Sequence, residues 1–239
     1  MELKDYSVRE SMRRITLYLN NGVCNTVDLV SHDALLKAST DPELKKNLEE
    51  MDLIVPVSSD ILHAGSIMSR SRDREVESNL FFKGLIRKLV KEGRPVFLIS
   101  STAQGLESLE NALGSFYGRL NVSSRAARNE IVGGDDSLVN EINGSAPDAV
   151  ILNLESPYAE QFIVENRMKL NCQLIIVIRD ISLRVNSEGN VKKGGIGDFF
   201  VRKFFKNAAV NYEKENNPPE NAGKKEADIP PEKIINLGD

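Results

Sequence analysis

Three short stretches of this chain bring together side chains that could move a proton or hold an anion. The first is the loop Val57-Ser58-Ser59-Asp60, which follows the apolar run Asp52 to Pro56. Asp60 is the only carboxylate in that loop. A carboxylate there can take a proton from a group within hydrogen-bond reach. The same aspartate, opening DILHAG, equally suits a helix cap, and His63 one turn on is either its partner or a helix-surface histidine. In the second stretch, Ser100, Ser101, Thr102, Gln104 and Gly105 follow the apolar run Pro95 to Ile99. Hydroxyls and backbone amides at a strand's carboxyl end suit phosphate, and a hydroxyl-rich turn with an N-cap explains the same residues.

The third stretch is DAVILNLESPYAEQFIVENR, Asp148 to Arg167. Ala149 to Leu154 is short, continuous and rich in branched residues, as in a buried strand. Glu155-Ser156-Pro157 then starts a helix, with Ser156 expected as N-cap and Pro157 at the first helical position. Strand, tight turn and exposed helix amides are how α/β proteins build an anion site. Tyr158 offers a ring to a nucleobase or to the core. Glu160 stands in the first helical turn, where the macrodipole favours an acid. Glu155 would repel an anion bound at close range.

The elements that must carry these residues alternate along the chain. Strands are expected at Thr26–Val30, Asp52–Pro56, Pro95–Ile99, Asn121–Ser123, Ala149–Leu154 and Gln173–Ile178. Helices are expected from Val8 to Leu19, from the Asp41-Pro42 start, and at Asp60–Ser69, Glu77–Lys91, Leu106–Tyr117, Ser137–Asn143 and Pro157–Leu170. This order predicts an α/β, Rossmann-like, mostly parallel sheet with helices on both faces. One domain over residues 1–206 is expected. Residues 207–239 hold four of the nine prolines among many Asn, Glu and Lys, and read as a disordered polar tail.

Composition narrows the function. The net charge is −4, and Ala208–Asp239 holds seven acids against four lysines, so the body is near neutral and nucleic acid is not an expected partner. Two histidines and two separated cysteines, Cys24 and Cys172, argue against a zinc site; the thiols are expected free and buried, with one disulfide as the alternative. No cofactor or metal is called for. The start MELKDYSVRE has no apolar signal core, and no run approaches a membrane span, so a cytoplasmic protein is expected, at most attached to a membrane surface. Asp198–Lys206, DFFVRKFFK, pairs phenylalanines at helical spacing with Arg202, Lys203 and Lys206. It is either a core helix or one lying on anionic lipid.

From Val8 to Lys206 the chain resembles the WecB/TagA/CpsF family of bacterial glycosyltransferases. The resemblance rests on HDALLKASTDPELKKNLEEMDLIVP, RPVFLISSTAQGLESLENALGSFYGRLNV and APDAVILNLESPYAEQFIVENR, in that order. It implies transfer of a hexosaminyl-type sugar from a UDP donor to a lipid-linked acceptor in cell-surface polysaccharide biosynthesis, at the inner membrane face. The implied nucleotide-sugar residues are Ser100, Ser101, Thr102, Gln104, Gly105, Ser156, Pro157, Tyr158 and Glu160, with Asp60 as catalytic base. The motif positions differ. The family's threonine and asparagine fall on Leu29 and Ser31, and its Pro-Asp-Gly on Pro56-Val57-Ser58. Its loop glycine falls on Ser100 or Ser101, and its Arg-Ala-Pro near Lys193-Gly194-Gly195. Gly-x-Pro-Lys-Gln-Glu reads Glu155 to Glu160, keeping only Pro157 and Glu160. A non-catalytic scaffold or regulatory partner is therefore the alternative, and a homo-oligomer is compatible with either.

Overall fold

The structure is a computed structural model that describes residues 2–117, 120–179 and 233–236. Strands β1 (Glu2–Asp5), β2 (Asn25–Val30), β3 (Leu53–Pro56), β4 (Val96–Ser100), β5 (Val122–Ala127), β6 (Ala149–Asn153), β7 (Leu174–Val177) and β8 (Lys233–Asn236) alternate with helices. The helices are α1 (Val8–Tyr18), α2 (His32–Thr40), α3 (Pro42–Glu49), α4 (Ser59–Ala64), α5 (Arg70–Glu77), α6 (Leu80–Glu92), α7 (Ala103–Tyr117), α8 (Gly134–Gly144) and α9 (Tyr158–Asn166). Six strands form one sheet in the order β3-β2-β7-β6-β4-β5, and every pairing in it is parallel. The expected Rossmann-like α/β architecture is therefore present.

Because side chains alternate across a strand, the strands inside this sheet feed two cores. Leu98, Ile151, Leu174, Ile176 and Ile178 join one cluster with Ile15, Phe81, Leu85 and Leu109 from α1, α6 and α7. Phe97, Ile99, Val150, Leu152, Ile175 and Val177 join the other with Leu138, Ile142, Phe162 and Ile163 from α8 and α9. Both faces are covered, which is why these strands read as unbroken apolar runs. A smaller cluster sets Val30 against Ala34, Leu44 and Leu48 of α2 and α3.

Local signals explain most boundaries. Ser7 and Glu10 form a capping box at α1, and Asp41 caps α3 with Pro42 in its first turn, as expected. The helix expected over Glu77–Lys91 forms as α6, starting three residues later at Leu80. Asn79, left-handed at φ 50°, stands between it and α5, a preceding helix that was not expected. Helix α2, before the expected Asp41-Pro42 start, is not among the expected helices. The β5 strand runs further than expected, to Ala127. Lys233–Asn236, within the segment expected to be a polar tail, form β8 antiparallel to β1. The phenylalanine-rich segment Asp198–Lys206 and positions Lys193–Gly195 lie outside the described residues.

Candidate functional site

From β4 the chain crosses to β5 on one side, whereas from β6 it crosses to β7 on the other. Strands β4 and β6 are neighbours, so the connections diverge at their carboxyl ends and leave a crevice there, the usual ligand position in open α/β sheets. Ser100 and Asn153 face each other across this point, and Asn153 Nδ2 donates to Ser100 Oγ at 3.3 Å.

The loop leaving β4 is tightly built. Ser100 is buried, whereas Ser101, Thr102 and Gln104 are exposed. Thr102 Oγ1 accepts from Gly105 N at 3.1 Å and so caps α7. A Cβ on Gly105 would lie 2.5 Å from Ser100 Oγ, so the helix start rests directly on the strand end. The loop is thus a turn capped by Thr102, with Ser101 exposed beside it.

The loop leaving β6 differs from expectation in its details. The Ser156–Pro157 bond is cis, and α9 begins at Tyr158 rather than Pro157. Ser156 does not cap the helix. Its hydroxyl instead donates to Glu160 Oε1 at 2.7 Å, so the oxygen expected to accept from a backbone amide is committed to a carboxylate. Ala159 N donates to Glu155 O at 3.0 Å, closing the first turn on the protein's own carbonyl. Tyr158 is half-buried, packs tilted against Phe162 and bonds through its hydroxyl to Asp135 and Arg128 at 2.6 Å each. Burial, reinforced by the Asp135 carboxylate, pushes its hydroxyl up to about 12. Glu155 is exposed.

Glu160 belongs to a cluster that the sequence reading did not foresee. Asp28 faces the α9 side of the sheet, opposite to its neighbours Val27 and Leu29, and is paired in register with Val177. Arg179 lies two residues beyond Val177 and therefore on the same side. Its guanidinium grips Asp28 through two bonds of 2.6 and 2.8 Å and also donates to Glu160. Asp28 and Glu160 are fully buried, and Arg179 nearly so. Burial raises the Glu160 carboxyl, the Asp28 charge adds to that, and Arg179 opposes it. The signal was available in the sequence: an acid inside TVDLV needs a buried countercharge. Lys37 of α2 was also missed. Its Nζ lies 3.4 Å from Ser156 O, which brings an exposed ammonium to the same turn.

Asp60 is exposed in the first turn of α4, and Ser58 takes the N-cap position, so Asp60 is not the cap. His63 bonds to Asp73 at 3.0 Å rather than to Asp60. Among the described residues, the buried side-chain polar atoms without a partner are Ser58 Oγ, Glu160 Oε2 and Arg179 Nε. All three follow the carboxyl ends of β3, β6 and β7.

The model of the glycosyl transferase WecG/TagA/CpsF family matches residues 1–182. The chain belongs to this family. No curated protein matches it. The crevice at the carboxyl ends of β4 and β6 is the candidate ligand position in this α/β sheet. A hollow of about 760 Å³ between α7, β5 and α8 is a poor alternative for a diphosphate. Glu107, Glu110, Glu130 and Glu141 line it, and its Arg125 is already paired with Glu110. Among the described residues no helix is long and apolar enough to cross a membrane.

Proposed function

We propose that this chain transfers a hexosaminyl-type sugar from a UDP donor to a lipid-linked acceptor, with the donor seated at the carboxyl ends of β4 and β6. The observation that carries this reading is the crevice where the β4 and β6 crossovers diverge, in a chain of the glycosyltransferase family; along the same side of the sheet, buried polar atoms lack partners after β3, β6 and β7. Buried polar groups are normally paired, and the exceptions concentrate where a ligand or reaction uses them. Ser101, Thr102 and Gln104 supply exposed donors for the diphosphate, and Lys37 supplies the countercharge beside Ser156. Ser100, Gly105, Pro157 and Glu160 act one step back, by shaping the two loops and anchoring α9. Tyr158 sets a ring edge at the same turn. Asp60 is the base that takes the proton of the acceptor hydroxyl as that oxygen attacks the anomeric carbon and UDP departs. Cell-surface polysaccharide assembly at the inner membrane face is the setting, with Phe199–Lys206 and an anionic lipid surface as the contact.

The exposed Glu155 favours a second reading, a non-catalytic relative acting as a scaffold or regulatory partner, because its carboxylate stands at the turn meant for a diphosphate. Calorimetry with UDP and UDP-N-acetylhexosamines separates the two. Binding that weakens at least about tenfold in Lys37→Ala, about 1.4 kcal/mol, is the expected result. No binding at millimolar nucleotide would overturn the donor assignment. Sugar transfer lost in Asp60→Ala with binding retained would eliminate the scaffold reading.

A further inference from the structure

At the opposite, amino-terminal edge of the sheet, Cys24 Sγ and Cys172 Sγ touch at 3.5 Å. They are separated by 148 positions in the sequence and are the only cysteines in the chain. Their juxtaposition follows from the ladder. Asn25 pairs with Leu174, and Asn25 N donates to Gln173 O at 3.0 Å, which places the residues just before β2 and β7 side by side. Adjacent strands lie about 4.8 Å apart, inside the Cα–Cα span of about 4.4–6.8 Å that a disulfide bridges. The thiols differ in environment. Cys172 is 6% exposed within the α9-side core, whereas Cys24 is partly exposed. The hydrogen bond between the two sulfurs lowers the Cys24 thiol; burial opposes this and the Arg167 charge assists it. That same bond, then burial, raises the Cys172 thiol.

We propose that Cys24 and Cys172 are a dithiol oxidation site, in which hydrogen peroxide reacts first at Cys24 and Cys172 closes a reversible disulfide between the amino ends of β2 and β7. The inference is independent of the reading of the carboxyl edge. The Cys24 thiolate attacks the outer peroxide oxygen, the O–O bond breaks, and hydroxide leaves and takes a proton to become water. The product is a Cys24 sulfenic acid. Cys172 then loses its proton and attacks the Cys24 sulfur, expelling hydroxide, which is protonated to a second water. The two thiols are oxidised by two electrons in total, and one peroxide is reduced to two waters. Two thiols that merely pack as small apolar groups would sit equally close in the reduced protein, so the chemistry must be measured.

The reduced full chain is treated with one equivalent of hydrogen peroxide, unfolded in N-ethylmaleimide and weighed. The expected product is a monomer lighter than the reduced protein by two hydrogens and carrying no maleimide. A proteolytic digest then contains one linked pair of peptides holding Cys24 and Cys172, and dithiothreitol restores both alkylation sites. In Cys172→Ala the sulfenic acid persists and is trapped by dimedone. In Cys24→Ala oxidation slows by about an order of magnitude or more, because a buried thiol without thiolate character is a poor nucleophile. Two maleimides per chain after peroxide, disulfides between chains, or oxygen adducts on both sulfurs would overturn the proposal. The wild-type mass result decides the matter even if an alanine variant fails to fold.

Discussion

Arg179 holds two carboxylates apart in a space from which water is excluded, so removing different members of the cluster has unequal consequences. Without the guanidinium, Asp28 and Glu160 would face each other buried and unpaired, and breaking a buried pair from one side typically costs about 3–5 kcal/mol. Arg179→Met is expected to destabilise the fold by that amount in urea unfolding near neutral pH. Glu160→Gln keeps the shape, removes the excess negative charge and should cost far less. The sign of its pH dependence follows from the raised Glu160 carboxyl, a shift set first by burial and then by Asp28. A carboxyl whose folded-state pKa lies above its unfolded value contributes stability that is fully present below the ordinary glutamate range. That contribution is lost as pH rises through the raised value. Glu160→Gln, which cannot titrate, should therefore compare least favourably with the wild type in acid and gain on it as pH rises. A stability difference that stays flat across this range would mean that Glu160 carries no raised pKa.

At the level of elements, the contact between β4 and α7 depends on one missing Cβ. In Gly105→Ala the methyl would meet Ser100 Oγ at 2.5 Å, and Ser100 is buried and bonded to Asn153. The hydroxyl must rotate and give up that bond, and the expected loss is about 1–3 kcal/mol, typical of an overpacked site. Ser100→Ala removes the clashing oxygen, so Gly105→Ala should cost at least about 0.5 kcal/mol less in that background, measured as a double-mutant cycle. Equal costs in both backgrounds would show that the clash relaxes elsewhere. This contact marks where sequence reading stops. The strands were legible because parallel strands buried on both faces are continuous apolar runs, and α3 because Asp41-Pro42 is a local start signal. Three-dimensional facts were not legible: that Asn79 would turn left-handed between α5 and α6, that Ser156 would serve a carboxylate instead of an amide, and that Arg179 would meet Asp28 across adjacent strands. Each depends on a partner distant in sequence or on a backbone choice that several residue types permit. Asp28 carried a local signal, a charge where the strand pattern demanded an apolar residue, and was nonetheless passed over.

At the scale of the whole molecule, the first and last described strands are one structural unit. Among the described residues β1 and β8 pair with each other and with no other strand, in register from Glu2↔Asn236 to Asp5↔Lys233. Such a ribbon has little stability of its own, because an isolated two-stranded pairing is marginal in water. The body holds β1 from the other side. Asp5 is buried against Arg72 of α5, which also bonds Glu75, and Glu75 accepts from Val8 N at 3.2 Å at the start of α1. Burial lowers the Arg72 guanidinium, but its bonds to Asp5 and Glu75 outweigh this, so the clasp stays charged. Removing Pro230–Asp239 should therefore free the β1 edge without undoing the sheet. Hydrogen exchange is expected to show faster exchange at Leu3–Asp5 and unchanged protection in β2, β4, β6 and β7. The melting temperature should fall by no more than about 2–4 °C, which corresponds to about 1 kcal/mol for a domain of this size. Protection at Leu3–Asp5 that survives the deletion would place the hold on β1 with Arg72 alone. A collapse of protection in the central strands would mean that the β1–β8 ribbon closes the core instead of resting on it.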